Sequence, residues 1–122
     1  MVFRALVALV LAEGIALLIK TLFPTPRPFV VFGVSPPPIF FFGVGAVSFP
    51  SCHTAIVVAT AVSVMLEKKL WGRFLLLLAL AVGIARVLAL AHFWWDILGG
   101  AVLGTLCAFL ANKIGNSQYR RD

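Results

Sequence analysis

The chain has 122 residues, 62% of them hydrophobic and 11% charged, with a mean hydropathy of +1.11. Soluble domains are nearer half apolar and a quarter charged, so a soluble fold of this size has no way to hide so much apolar surface; the composition reads as an all-α integral membrane protein, a single compact bundle over residues 1–122. The net charge of +6 does not argue for nucleic acid, because the basic residues stand at the ends of apolar runs, where they set topology and meet anionic headgroups.

About four transmembrane helices are expected, near residues 2–20, 51–66, 70–91 and 95–111, with a Pro/Gly-rich interfacial loop at 21–50 and a polar, frayed tail at 112–122. The first run can pass for a signal peptide. Glu13 interrupts it and no small-residue cleavage site follows, so it reads as a retained helix. Glu13 lies two turns before Lys20 on nearly the same face, where it can pair with a basic group inside the bundle or sit protonated.

Residues 21–49 carry Pro24, Pro26, Pro28, Gly33, Pro36, Pro37, Pro38, Gly43 and Gly45, which forbid a continuous helix. Irregular backbone is not tolerated facing lipid, so the segment belongs at the water interface, with Phe40, Phe41 and Phe42 available to dip into the bilayer. Pro50 and Ser51 are start signals for the second helix, whose Ala55, Ala59 and Ser63 form a small-residue ridge. The third carries Ala79, Gly83 and Arg86 along one side. The fourth sets Gly100 and Gly104 under Asp96, a ridge suited to contact within one bundle or between two copies, which leaves a homo-oligomer open. Trp94 and Trp95 read as interface-belt residues.

Cys52 and Cys107 fit no metal-ligand spacing and suggest neither a zinc site nor a disulfide. Arg4, Lys68, Lys69, Arg73, Lys113, Arg120 and Arg121 fall on one side of the expected bundle, and Lys20, Arg27 and Arg86 on the other. The positive-inside rule then places both termini in the cytoplasm of a multi-pass cell-membrane protein, with the remaining polar groups on the extracytoplasmic face.

Three clusters gather at that face. The first is Lys20 and Arg27 on a proline-stiffened connection. The second is Pro50-Ser51-Cys52-His53 at a helix start, where free backbone N–H groups and the positive dipole end make an anion seat to which Ser51 adds a hydroxyl. The third is Arg86, His92 and Asp96. With His92 and Asp96 four residues apart, the carboxylate can fix the imidazole tautomer and leave the other nitrogen free as a nucleophile or base. The plainer alternative is a buried ion pair that orders two helix ends. Ionisable groups at membrane depth are costly, which favours function. Three cations and a helix N-terminus suit phosphate, and two histidines suit attack at phosphorus and protonation of the departing oxygen.

Lysine, six residues, Arg-Pro; then Pro-Ser-x-His; then arginine, five residues, histidine, three residues, aspartate: together these resemble the type-2 phosphatidic acid phosphatase superfamily. Its members include lipid phosphate phosphatases, isoprenyl-diphosphate phosphatases and glucose-6-phosphatase, and vanadium haloperoxidases share the site. The match runs from Lys20 to Asp96. Cys52 stands where glycine is typical and Ala85 where serine usually precedes the arginine, and fewer helices precede the first motif than in six-helix members.

The resemblance implies that His92 is the nucleophile, forming a phosphohistidine, with Asp96 orienting it. His53 would be the proton donor to the leaving group and then the base for water. Lys20, Arg27, Arg86, Ser51 and backbone N–H groups around Cys52 would hold the phosphoryl oxygens, with no metal and no cofactor. The implied partner is a membrane lipid phosphate in the bilayer: phosphatidic acid, phosphatidylglycerophosphate or undecaprenyl diphosphate. A non-catalytic lipid-phosphate-binding subunit and a phosphotransferase working through the same phosphohistidine are the alternatives.

Overall fold

The computed structural model describes residues 1–35 and 47–119. In chain order its helices are α1 (Val2–Leu22), α2 (Pro28–Val31), α3 (Cys52–Met65), α4 (Lys69–Leu88) and α5 (Trp94–Tyr119). Helices α1, α4 and α5 are long and apolar enough to cross a membrane, while α3 is a shorter apolar helix of 14 residues. At 1.5 Å per residue α3 rises only about 21 Å, against a hydrocarbon core of ~30 Å. Its position permits this, because α1, α4 and α5 all pack around it and it need not match the lipid by itself.

What holds the bundle together is small side chains. Ala8, Ala12, Ala16 and Lys20 are buried at four-residue spacing on α1, a ridge that the surrounding alanines and leucines hide in the sequence. Ala55, Ala59 and Ser63 are buried on α3, and Gly100, Gly104, Cys107, Ala108 and Ala111 on α5. A β-carbon at Gly104 would lie 2.4 Å from the Ala55 carbonyl oxygen, and one at Gly100 2.6 Å from that of Ser51. The backbones of α3 and α5 are therefore in direct contact. Large apolar residues such as Phe3, Leu6, Val10, Leu77, Leu80, Val102 and Leu106 point outward. In lipid there is no gain from burying them, so close approach of small residues decides the packing.

At one end of the bundle, Arg4 donates through Nη1 to Asn112 Oδ1 (2.9 Å) and to Glu67 Oε1 (3.3 Å), and the Met1 amino group lies 3.3 Å from the same Glu67 oxygen. These contacts anchor α5 beyond its apolar stretch, and a β-carbon at Gly115 would meet Arg4 Nε at 2.7 Å. The segment read as a frayed tail from residue 112 is accordingly helical as far as Tyr119.

Glu13 also departs from expectation. A ridge at four-residue spacing drifts about 40° per step around a helix of 3.6 residues per turn. By the depth of Glu13 the packed stripe has turned away from it, and the residue is exposed, with no ion pair among the described residues. Of the proline-rich segment, residues 23–27 and 47–51 are irregular and α2 is a single turn. Phe40, Phe41 and Phe42 lie outside the described residues.

Candidate active site

At the other end of the bundle, four local structures each terminate or start a helix and each present a polar side chain inward. The first is the end of α1, which carries Lys20. Its Nζ donates to the carbonyl oxygens of Val47 (2.9 Å) and Ser48 (3.1 Å), so the ammonium holds the segment leading into α3. The same segment is tied to the connection after α1. Pro26 and Val47 form an antiparallel bridge, Ser48 N–H donates to Thr25 O (2.8 Å), and Phe49 N–H donates to Thr25 Oγ1 (2.9 Å). Arg27 follows at the start of α2 and is buried.

The third local structure is the start of α3. Ser51 is its N-cap, accepting from Thr54 N–H at 3.3 Å through Oγ, and its own N–H donates to the Asp96 carbonyl (3.1 Å). Ser51 is fully buried, so its oxygen serves the helix first. Cys52 opens α3 in helical backbone. Its β-carbon costs nothing there, because among the described residues only Leu90 is a non-glycine with positive φ.

The fourth is the turn between α4 and α5. Helix α4 ends with Ala91 N–H donating to Arg86 O (3.1 Å) and Leu90 N–H to Val87 O (3.0 Å), the bond pattern of a Schellman motif. Leu90 occupies the left-handed position, φ 56°, that glycine usually fills. His92 N–H also reaches Arg86 O, at 3.3 Å. Helix α5 then starts with Asp96 at its third position, Oδ2 accepting from Phe93 N–H at 2.8 Å, which is the acidic half of a capping box. The plainer expectation, a carboxylate that orders a helix end, therefore applies to Asp96 alongside any other role.

His92 and Asp96 are both buried, with Nδ1 and Oδ2 3.5 Å apart. That separation is at the limit of a hydrogen bond. Ser48 fills the gap. Its hydroxyl donates to Asp96 Oδ2 and lies 3.5 Å from His92 Nδ1. On the far side of the ring, Arg27 Nη1 stands 3.3 Å from Nε2 while also donating to Ala91 O (3.1 Å). A guanidinium can only donate, so this contact requires a lone pair on Nε2 and the proton on Nδ1, facing Ser48 and Asp96. Burial pushes the His92 pKa down, with the charges of Arg27 and Lys20 in the same direction; the hydrogen bond to Asp96 opposes them. The ring is held neutral. Burial, then Arg86, also lowers Arg27 from the usual guanidinium value, which still leaves it a cation.

Arg86 is half-buried in the last turn of α4. His53 is exposed in the first turn of α3 and makes no hydrogen bond among the described residues, but the charges of Arg86, Arg27 and Lys20 all act on its ring, and Glu13 acts on it from α1. Lys20, Arg27, Ser51, Cys52, Arg86, His92 and Asp96 thus belong to one end of the bundle, with His53 at its open side. Among the described residues no group of three His, Cys, Asp or Glu side chains is arranged to hold a metal ion.

Ser48 is the member that reading the sequence missed. It sits between Val47 and Phe49 in an apolar loop, and nothing in its own type marks it; only its place two residues before the Pro50-Ser51 helix start was available as a signal.

Known proteins resemble the chain in sequence and in fold. The chain is 29% identical over 127 aligned positions to the YbjG protein of Escherichia coli (strain K12), named as an undecaprenyl-diphosphatase, covering 99% of this chain and 62% of that one. It is 41% identical over 61 residues to the bacitracin transport permease protein BcrC of Bacillus licheniformis, covering 50% of this chain and 30% of the relative. The chain thus spans less than two thirds of either relative's length. The crystal structure of Aquifex aeolicus LpxE superposes with a TM-score of 0.73 at 27% identity, over 92% of this chain and 67% of that one. The family model described as the PAP2 superfamily matches residues 1–120, nearly end to end, and the chain belongs to that superfamily.

Proposed function

We propose that the chain hydrolyses a phosphomonoester or diphosphate on a membrane lipid, without a metal, through a phosphohistidine on His92. The observation that carries this reading is a buried, neutral imidazole held between Asp96 with Ser48 on one nitrogen and Arg27 on the other, at one end of a membrane bundle. Nε2 attacks phosphorus as the bond to the leaving oxygen breaks, and His53 gives that oxygen its proton. Water then attacks the phosphohistidine, His53 takes the water's proton, the N–P bond breaks and inorganic phosphate departs. Asp96 stabilises the imidazolium formed in between. Lys20, Arg27, Arg86, the Ser51 hydroxyl and the first-turn N–H groups at Cys52 and His53 hold the phosphoryl oxygens as their charge shifts.

A lipid with its phosphate at headgroup level suits this position, and the name given to YbjG favours undecaprenyl diphosphate over phosphatidic acid and phosphatidylglycerophosphate. The active site faces the extracytoplasmic side, since the end bearing Arg4, Lys68, Lys69 and Lys113 has the excess of basic residues. The decisive experiment is phosphate release from these three lipids by purified wild type and His92→Ala. Release is expected to persist in EDTA, to stop with vanadate, and to be lost in His92→Ala. Full turnover by His92→Ala would remove His92 from the nucleophile's role.

A further inference from the structure

Helices α4 and α5 each lean on α3 but scarcely touch one another. They approach at Gly83, where a β-carbon would meet Ile97 Cγ2 at 2.8 Å. Around that point lies a cleft of about 360 Å³, lined by Leu80, Gly83, Ile84, Val87, Trp94 and Ile97 among others, with no charged side chain. Its α4 wall runs from Leu80 to Leu88, a rise of about 12 Å. At its upper end, Leu88 and Trp94 flank the five-residue turn that carries His92, and Arg86 shares a helical turn with Val87.

Position and lining decide what fits. The cleft has only apolar walls, and its upper end adjoins the turn that carries His92, so a hydrocarbon chain attached to a phosphate held there reaches it directly. A polar headgroup finds no partner on these walls. We infer that this cleft receives one hydrocarbon chain of the lipid whose phosphate is held at His92, and so acts as the enzyme's chain-recognition subsite; the inference rests on the phosphatase reading above. Because 12 Å is less than half the ~30 Å hydrocarbon core, only the first part of the chain is gripped and the remainder stays in the bilayer. The enzyme therefore reads the presence of a chain near the phosphate, and not its full length.

The test is a series of prenyl diphosphates of increasing chain length, assayed in detergent with wild type, Gly83→Leu and Ile84→Trp. For wild type, kcat/KM is expected to rise with chain length until about 12 Å of chain is accommodated and then to level off. Gly83→Leu fills the cleft floor, and Ile84→Trp, at a residue 52% exposed, narrows it without the Ile97 clash. Each is expected to lower kcat/KM for long chains by about tenfold or more, the effect a misplaced methylene has in an apolar pocket, and to leave the shortest substrate unchanged. Thermal melting of each variant reports folding separately. If either folded variant treats long and short substrates alike, or if wild-type activity is indifferent to chain length, the subsite is wrong and the phosphatase stands. If wild type releases no phosphate from any member, the phosphatase reading fails and takes the subsite with it.

Discussion

On the proposed mechanism Ser48 positions His92 through Asp96, and removing its hydroxyl should separate positioning from binding. Ser48→Ala takes away a charge-assisted hydrogen bond to Asp96 Oδ2 and leaves that oxygen with Phe93 N–H and a distant imidazole. Bonds of this kind contribute about 1.5–3 kcal/mol, which corresponds to a drop in kcat of roughly ten- to a hundredfold. KM is expected to stay near the wild-type value, and Ser48→Thr to restore most of the rate; a loss confined to KM would assign Ser48 to substrate binding. The acidic limb of the pH profile belongs to His92. Its folded-state pKa is depressed, so the neutral ring proposed as nucleophile persists below the ordinary histidine value of about 6.5, and the acidic limb of kcat/KM is expected below that pH. The sign for stability is the matching one. As pH drops below 6.5 the unfolded chain binds a proton that the folded chain resists, so stability declines through that window. At this scale the sequence was readable where a charge interrupted an apolar run, as at Arg86, His92 and Asp96. It was silent at Ser48, a small neutral residue that matters through its neighbours.

Among the elements, the contact of α3 with α5 carries the site, because Gly100 lies against Ser51 and Gly104 against Ala55 and Ala59. Gly104→Leu places side-chain atoms where backbone already stands. Overpacking costs typically ~1–3 kcal/mol, and here the obstacle is a carbonyl oxygen that cannot rotate away. The variant is expected to melt lower than wild type and to lose activity, although residue 104 is two turns below Asp96. A melting temperature equal to wild type would show that the two helices can separate freely. The glycine and α3 ridges were legible from four-residue spacing. The Ala8, Ala12, Ala16 ridge of α1 was not, since an apolar helix exposed to lipid is hydrophobic all round and the usual amphipathic contrast vanishes. The continuation of α5 to Tyr119 was hidden for another reason: it depends on Arg4, more than a hundred positions away, and no local pattern reports such a partner.

Over the whole molecule, charge separates the two ends: Arg4, Glu67 and Asn112 meet at one and Lys20, Arg27 and His92 at the other. That polarity was visible in the sequence from where the basic residues fell between apolar runs. What joins the residues of the candidate site was not visible, because the clamp between Thr25–Arg27 and Val47–Phe49 is made mostly by backbone atoms, which any residue type supplies. The clamp brings Arg27 and Ser48 to opposite sides of the His92 ring although they are far apart in the sequence. Lys20 is fastened to the same clamp through the carbonyls of Val47 and Ser48, and the Ser48 hydroxyl reaches Asp96, so the end of the first membrane helix and the start of the last are coupled across a single residue.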